Sequence, residues 1–250
     1  MILPIYNVAP RNWQDLQIKV AKIYSDIGYE THIEADIPIV RGTVNVDVLC
    51  IKKTALVNET IIIECKHWNN RVPKTIAHAF RSVIADHGAN SGYIISKSGF
   101  QEGAYESIKN TNIRLLTFDE FQSAIRSTWL EAVIDNIEEV GYPLRKYCDP
   151  LATFTANEYD QLSIEKQQQI DEMKLKYYHI ALHTFRGLYK DVMSGKLQIE
   201  YIDEQILSNS KDLNGIEVNC LMDYFEVMHE TCIRLVAEFD KLYGKKLRKC

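Results

Sequence analysis

The chain has 250 residues, 46% of them hydrophobic and 25% charged, with a formal net charge of −5, a profile that excludes a disordered or fibrous protein. Residues 1–128 carry 14 Lys/Arg against 13 Asp/Glu and residues 129–250 carry 15 against 21, so the acidity belongs to the second half. An acidic total excludes a protein that coats nucleic acid nonspecifically, but it leaves room for a local basic groove.

Residues 12–27 predict an amphipathic helix, because Trp13, Leu16, Val20, Ile23, Tyr24 and Ile27 recur at steps of three and four before Gly28 ends the pattern. Tyr29 to Ile39 and Val44 to Ile51 are rich in β-branched residues and predict two strands, with Arg41-Gly42 as the turn between them. A polar connection leads to the strand Ile61 to Lys66. Pro73 to His87 is a helix with Pro73 suited to its first turn, followed by a short strand over 93–96, a helix over 102–109 and a strand over 113–116. Helix and strand alternate here, so the first half is α/β with a mixed central sheet flanked by helices.

Strand signals nearly vanish beyond residue 128. A helix is expected over 129–140, then an irregular stretch from Gly141 to Thr155 containing Pro143 and Pro150, then a helix from Ile164 to Met193. Val218, Leu221, Phe225, Met228, Cys232, Leu235, Phe239 and Leu242 form a heptad seam. It serves either a helical hairpin within the chain or a dimerisation arm. The basic tail 245–249 reads as a helix end complementing the dipole. These patterns divide the chain into a domain over 1–128, a connecting helix and linker over 129–155, and an all-α C-terminal region over 156–250.

No apolar run approaches the ~20 residues that span a bilayer. The N-terminus lacks a basic start followed by an apolar stretch. A cytoplasmic location without a membrane partner is therefore expected. The six cysteines have no C-x-x-C spacing and read as buried thiols rather than zinc ligands.

The segment IIIECKHW, from Ile61 to Trp68, carries the chemistry. Side chains on a strand alternate, so Glu64 and Lys66 share a face while Cys65 turns away. Asp47, in VNVDVLC, lies on the neighbouring strand of the expected hairpin. Two carboxylates beside an ammonium suit phosphodiester hydrolysis. A hard divalent cation takes oxygen ligands and an amine offsets charge that builds on phosphate. His67 points away from Lys66 and reads as structural, and Trp68 is expected to pack under the following loop.

With Asp47, Glu64 and Lys66 in this hairpin, the chain resembles the PD-(D/E)XK nuclease superfamily in its Mrr-like restriction endonuclease branch, over about residues 12–122. The downstream run also fits, with Ser96, Ser98, Gly99, Phe100, Ala104, Ile113 and Leu115 at the branch's places. The resemblance implies a restriction-endonuclease-like core and a Mg²⁺-dependent (or Mn²⁺-dependent) endonuclease acting on DNA in restriction or antiviral defence. It also implies metal ligands at Asp47, Glu64 and the Cys65 backbone carbonyl, with Lys66 as the catalytic amine. Two departures stand out. Gln17 occupies the first-helix place that often holds Glu, as a supporting group that can hydrogen-bond but not neutralise a cation. Val46 stands where the superfamily's name has proline.

Arg41, Lys52, Lys53, Arg71 and Lys74 are candidate phosphate contacts, and Ser96 and Lys97 are candidates to face the site from the next strand end. Cutting both strands requires two centres, so a homodimer or a partner subunit joined through the C-terminal helices is expected. A non-cleaving DNA-binding or partner-binding module of the same fold, and a junction-resolving or repair nuclease, are the alternatives.

Overall fold

The computed structural model describes residues 3–149, 156–188 and 219–244. Val218, the expected helical stretch 189–193, Cys250 and the basic tail 245–249 lie outside the described residues. The chain divides into two compact units, one over Val8–Ala132 and the other over Met1–Asn7 with Val133–Cys250.

The first unit is built on a five-stranded sheet of order β1-β2-β3-β4-β5. Its strands are β1 (Glu30–Ile39), β2 (Gly42–Lys53), β3 (Asn58–Lys66), β4 (Ser91–Ser96) and β5 (Ile113–Thr117). β1, β2 and β3 pair antiparallel, whereas β3–β4 and β4–β5 pair parallel, because α2 (Lys74–His87) and α3 (Glu102–Ser107) supply the crossovers. Helix α1 (Trp13–Asp26) precedes the sheet, and the Asn12 side chain caps it by accepting from the Asp15 N–H at 2.8 Å.

The isoleucine run of β3 follows from its central place. α1 packs against β1, β2 and β3, and α2 packs against β1 and β4. Both faces of β3 are covered, so Ile61, Ile62 and Ile63 are all buried. Under α2, Ile62, Leu49 and Ile94 share a core cluster with Ala77, Phe80 and Ile84. Gly92 permits that close approach, since a Cβ there would lie 2.7 Å from the Ile84 side chain. Trp13 departs from the expected apolar stripe of α1: it is exposed, while Leu16, Val20, Ile23 and Tyr24 are buried.

One distortion matters for the site. Glu34 has φ +53°, in the left-handed region, and the β1–β2 register places it opposite Asp47. Val46 and Leu49, three residues apart, would face opposite sides of a regular strand. Here both belong to the cluster under α2, so the alternation of β2 breaks at Asp47–Val48. Beyond the break the β1–β2 hairpin reaches the last turn of α2, where Arg41 pairs with Asp86 at 3.6 Å and His87 meets the Pro38 carbonyl at 2.9 Å.

Helix α4 corrects the expected linker. It runs from Phe118 to Cys148, straight through Gly141 and Pro143. In the first unit, Phe121 stacks on Tyr24 at 5.9 Å and the Trp129 indole donates to Asp26 at 2.8 Å. In the second unit, the bare Cα of Gly141 lets Thr184 approach, since a Cβ there would stand 2.3 Å from that side chain. Tyr147 stacks on Phe239 at 5.0 Å and Tyr243 at 5.2 Å, and its hydroxyl donates to Asp240 at 2.6 Å. Packing overrides the two breaker residues.

The second unit also holds α5 (Ala156–Asp160), α6 (Ile164–His183) and α7 (Leu221–Tyr243). Residues 1–7 belong here because the Pro4 and Ile5 carbonyls accept from the first amides of α7, those of Leu221 and Met222, both at 3.0 Å. The seam residues Leu221, Phe225, Met228, Cys232, Leu235 and Phe239 are buried within this chain. Cys50, Cys65, Cys148, Cys220 and Cys232 are free and buried. Among the described residues, no helix is long and apolar enough to cross a membrane.

Candidate active site

The β2–β3 ladder ends at the pair Val48 and Ile63. Asp47 and Glu64 occupy the next rung, where the two strands part. Asp47 is held by both carboxylate oxygens: Oδ1 accepts from Gln17 Nε2 at 2.9 Å and Oδ2 from the Cys65 N–H at 2.6 Å. Gln17 is only 1% exposed, so its amide is fixed by its surroundings on α1.

The backbone of β3 fixes one further oxygen. In an extended strand the N–H and C=O of one residue point the same way, and successive residues alternate. The Cys65 N–H faces Asp47, and the Lys66 carbonyl faces β4, where it accepts from the Lys97 N–H at 3.0 Å. The Cys65 carbonyl is therefore on the Asp47 side, in the opening between β2 and β3. The Cys65 side chain is buried on the other face, and burial raises its thiol well above its ordinary range.

Glu64 and Lys66 form an ion pair. Even so, the Glu64 carboxyl has its pKa raised, first by burial and then by the Asp47 carboxylate, with Lys66 offsetting part of the effect. Two carboxylates close enough to repel, with a backbone oxygen on the Asp47 side of β3, make a set of hard oxygen donors that suits a divalent cation such as Mg²⁺ or Mn²⁺. Among the described residues, no cluster of three or more His, Cys, Asp or Glu side chains could hold a metal. A centre here rests on two side chains and the main chain.

A family model described as restriction endonuclease, of the Mrr catalytic type, matches residues 10–125. Residues 10–125 are a restriction-endonuclease-like domain. The match spans α1 through the sheet into α4, and the mixed sheet flanked by helices is the restriction-endonuclease-like α/β fold. No curated protein matches the chain. A crystal structure titled as a protein of unknown function, AF1548, is similar at 15% identity and a TM-score of 0.38, covering 93% of this chain and 99% of that one. A likeness at that level carries no argument.

The structure separates the remaining candidates by position. Arg71 and Lys74 are exposed on the segment that leaves β3, and Lys97 donates to Asn69 on that same segment at 2.9 Å. These cations gather at the Lys66 end of the sheet. Lys52 and Lys53 pair with Glu59 and Asn58 at the opposite end of β3. Lys52 donates to the Ile27 carbonyl at 3.1 Å over the Tyr29 ring, and Lys53 pairs with Glu30 at 3.8 Å. Arg41 sits at the hairpin tip, six residues and ~20 Å of extended strand from Asp47. Ser96 is buried and holds a turn, donating to the Gly99 carbonyl at 3.1 Å and accepting from the Ser98 N–H at 3.2 Å.

Two aromatic neighbours complete the surroundings. His67 Nε2–H donates to the Pro10 carbonyl at 2.8 Å, a structural tie as its strand position implies. Trp68 is not packed under a loop. It is 43% exposed, and the Lys66 ammonium lies 5.4 Å from its ring. No local sequence signal marks this, nor the left-handed Glu34 opposite Asp47, since both depend on contacts between distant segments.

Proposed function

We propose that the restriction endonuclease domain is a divalent-metal-dependent endonuclease that hydrolyses phosphodiester bonds in DNA. The observation that carries this reading is the opening of the β2–β3 ladder, where Asp47, Glu64 and the Cys65 carbonyl converge beside Lys66. Asp47, Glu64 and the Cys65 carbonyl would hold the cation. Bound there, a divalent cation supplies charge neutralisation at the scissile phosphate and a more acidic water. Lys66 stabilises the negative charge that develops on the phosphate oxygens. Gln17 and the Cys65 N–H keep Asp47 in one orientation, so its carboxylate needs no reorganisation when substrate arrives. Arg71, Lys74 and Lys97 would bind flanking phosphates. A role in restriction or antiviral defence rests on the family alone.

Purified full-length protein incubated with plasmid and linear DNA in Mg²⁺ or Mn²⁺ tests the proposal. Cleavage is expected, with chelation abolishing it and Asp47→Ala, Glu64→Ala and Lys66→Ala each lowering the rate by at least about a hundredfold. Undiminished activity in these variants rejects the assignment. A double-strand break requires a second copy of the centre, so the ratio of nicked to linear product reports whether two copies act together.

Gln17 in place of a carboxylate favours a second reading, a nuclease-like module that binds DNA without cutting. DNA binding unaffected by Mg²⁺ and Mn²⁺, with every substrate left intact, would support it. Cleavage restricted to four-way junctions would instead identify a junction-resolving enzyme.

A further inference from the structure

Trp68 is a large apolar ring with little packing to explain it. Its backbone neighbourhood is tied at four successive residues. The Lys66 carbonyl accepts from Lys97 at 3.0 Å and the His67 ring donates to Pro10 at 2.8 Å. The Trp68 carbonyl accepts from the Ser98 hydroxyl at 2.6 Å, and Asn69 accepts from the Lys97 ammonium at 2.9 Å. The backbone is braced, yet the residue stays 43% exposed beside the catalytic amine. Trp129, by contrast, is wholly buried with its indole N–H on Asp26.

The remaining tryptophan repeats the pattern. Trp13 is 46% exposed and stands one turn before Gln17 on the same face of α1. Gln17 holds Asp47, and the Pro10–His67 bond brings the approach to α1 beside the end of β3. One exposed indole therefore stands at Lys66 and a second one helical turn from Gln17, with Arg71, Lys74 and Lys97 on the segments adjoining Lys66.

Aromatic rings beside a track of cations hold single strands, because each unstacked base offers a π-face while the cations follow the phosphates. A continuous duplex keeps those faces inside its own stack and must be opened to present one. Resting on the nuclease reading above, we infer that Trp68 is a stacking platform for an unpaired base next to the scissile phosphate. The site accordingly takes single-stranded or locally unpaired DNA in preference to continuous duplex. The Lys66 ammonium over the Trp68 ring couples the platform to the reacting phosphate.

The test uses the full-length protein in EDTA, titrated by tryptophan emission with one oligodeoxynucleotide in three forms: single strand, continuous duplex, and duplex with an internal mismatch bubble. Single strand and bubble should quench emission and bind more tightly than duplex. Trp68→Ala should weaken single-strand binding by about tenfold, and Trp68→Phe should restore most of it. Equal quenching and affinity for duplex, or single-strand affinity unchanged in Trp68→Ala, overturns the platform. Repeating the series with Mg²⁺ separates the two readings. Stacking without cleavage keeps the platform and rejects the nuclease. Cleavage of duplex as fast as the bubble, unslowed by Trp68→Ala, keeps the nuclease and rejects the platform.

Discussion

Gln17 donates to Asp47 across thirty residues of sequence, at 2.9 Å, from a position that water scarcely reaches. Under the proposed function it would act through Asp47, as a positioning residue. Gln17→Met should lower kcat about tenfold while KM changes little, since orientation and not substrate binding is lost. A double-mutant cycle with Asp47→Asn should show a coupling of about 1 kcal/mol in stability. Gln17→Glu places a second carboxylate against Asp47 and should destabilise the protein in EDTA, with Mn²⁺ or Mg²⁺ recovering the loss. Thermal unfolding with and without metal checks this, and a Gln17→Glu variant as stable as wild type in EDTA contradicts it.

Burial and the neighbouring Asp47 raise the pKa of Glu64. The folded protein therefore keeps a proton on Glu64 at pH values where the unfolded chain has lost it. The stability this group contributes is greatest at low pH, falls as pH climbs from the unfolded to the folded pKa, and is level above that. Glu64→Gln removes the dependence, so its Tm should gain on wild type as pH rises through that window. A divalent cation needs the carboxylate, so metal binding should release a proton there and weaken as pH falls. Calorimetric titration in two buffers of different ionisation enthalpy measures the proton, and identical heats in both would contradict the raised pKa.

The cations divide by position. Arg71→Ala, Lys74→Ala and Lys97→Ala should each reduce the salt dependence of DNA binding by about one unit of slope. Arg41→Ala and Lys53→Ala should leave that slope unchanged. Lys52→Met should cost stability instead, about 1 kcal/mol, because it removes the bond to the Ile27 carbonyl and the contact over Tyr29. Electrophoretic shift assays over a salt series discriminate the two groups. Equal slopes for Arg41→Ala and Arg71→Ala would contradict the map.

What the sequence made legible is what local spacing encodes. The strands, the crossover helices and the alternation that sets Glu64 and Lys66 on one face all depend on periods of two or 3.6 residues. Asp47 was findable because a hairpin brings neighbouring strands into register. Gln17 could be singled out by counting back from Gly28, but its bond to Asp47 joins segments with no sequence relation. Gly141 and Pro143 signal a break, yet the helix passes through them because Thr184, Phe239 and Tyr243 pack against it. Ser96 looked like a site residue because of its place at a strand end, and its hydroxyl instead closes the turn to Gly99. Trp68 was expected to pack under the following loop, and only the three-dimensional arrangement shows it exposed beside Lys66.

The left-handed Glu34 opposite Asp47 gives strand β2 two separate jobs. Both stretches stay paired with β1, and the one before the break packs Ile37 and Val46 under α2, so only the tip at Val40 and Arg41 is held by surface ties of small energetic weight. Lengthening that tip leaves the carboxylates where they are. The hairpin end is thus a permissive graft point, where an inserted loop or tag could be carried without disturbing Asp47 and Glu64.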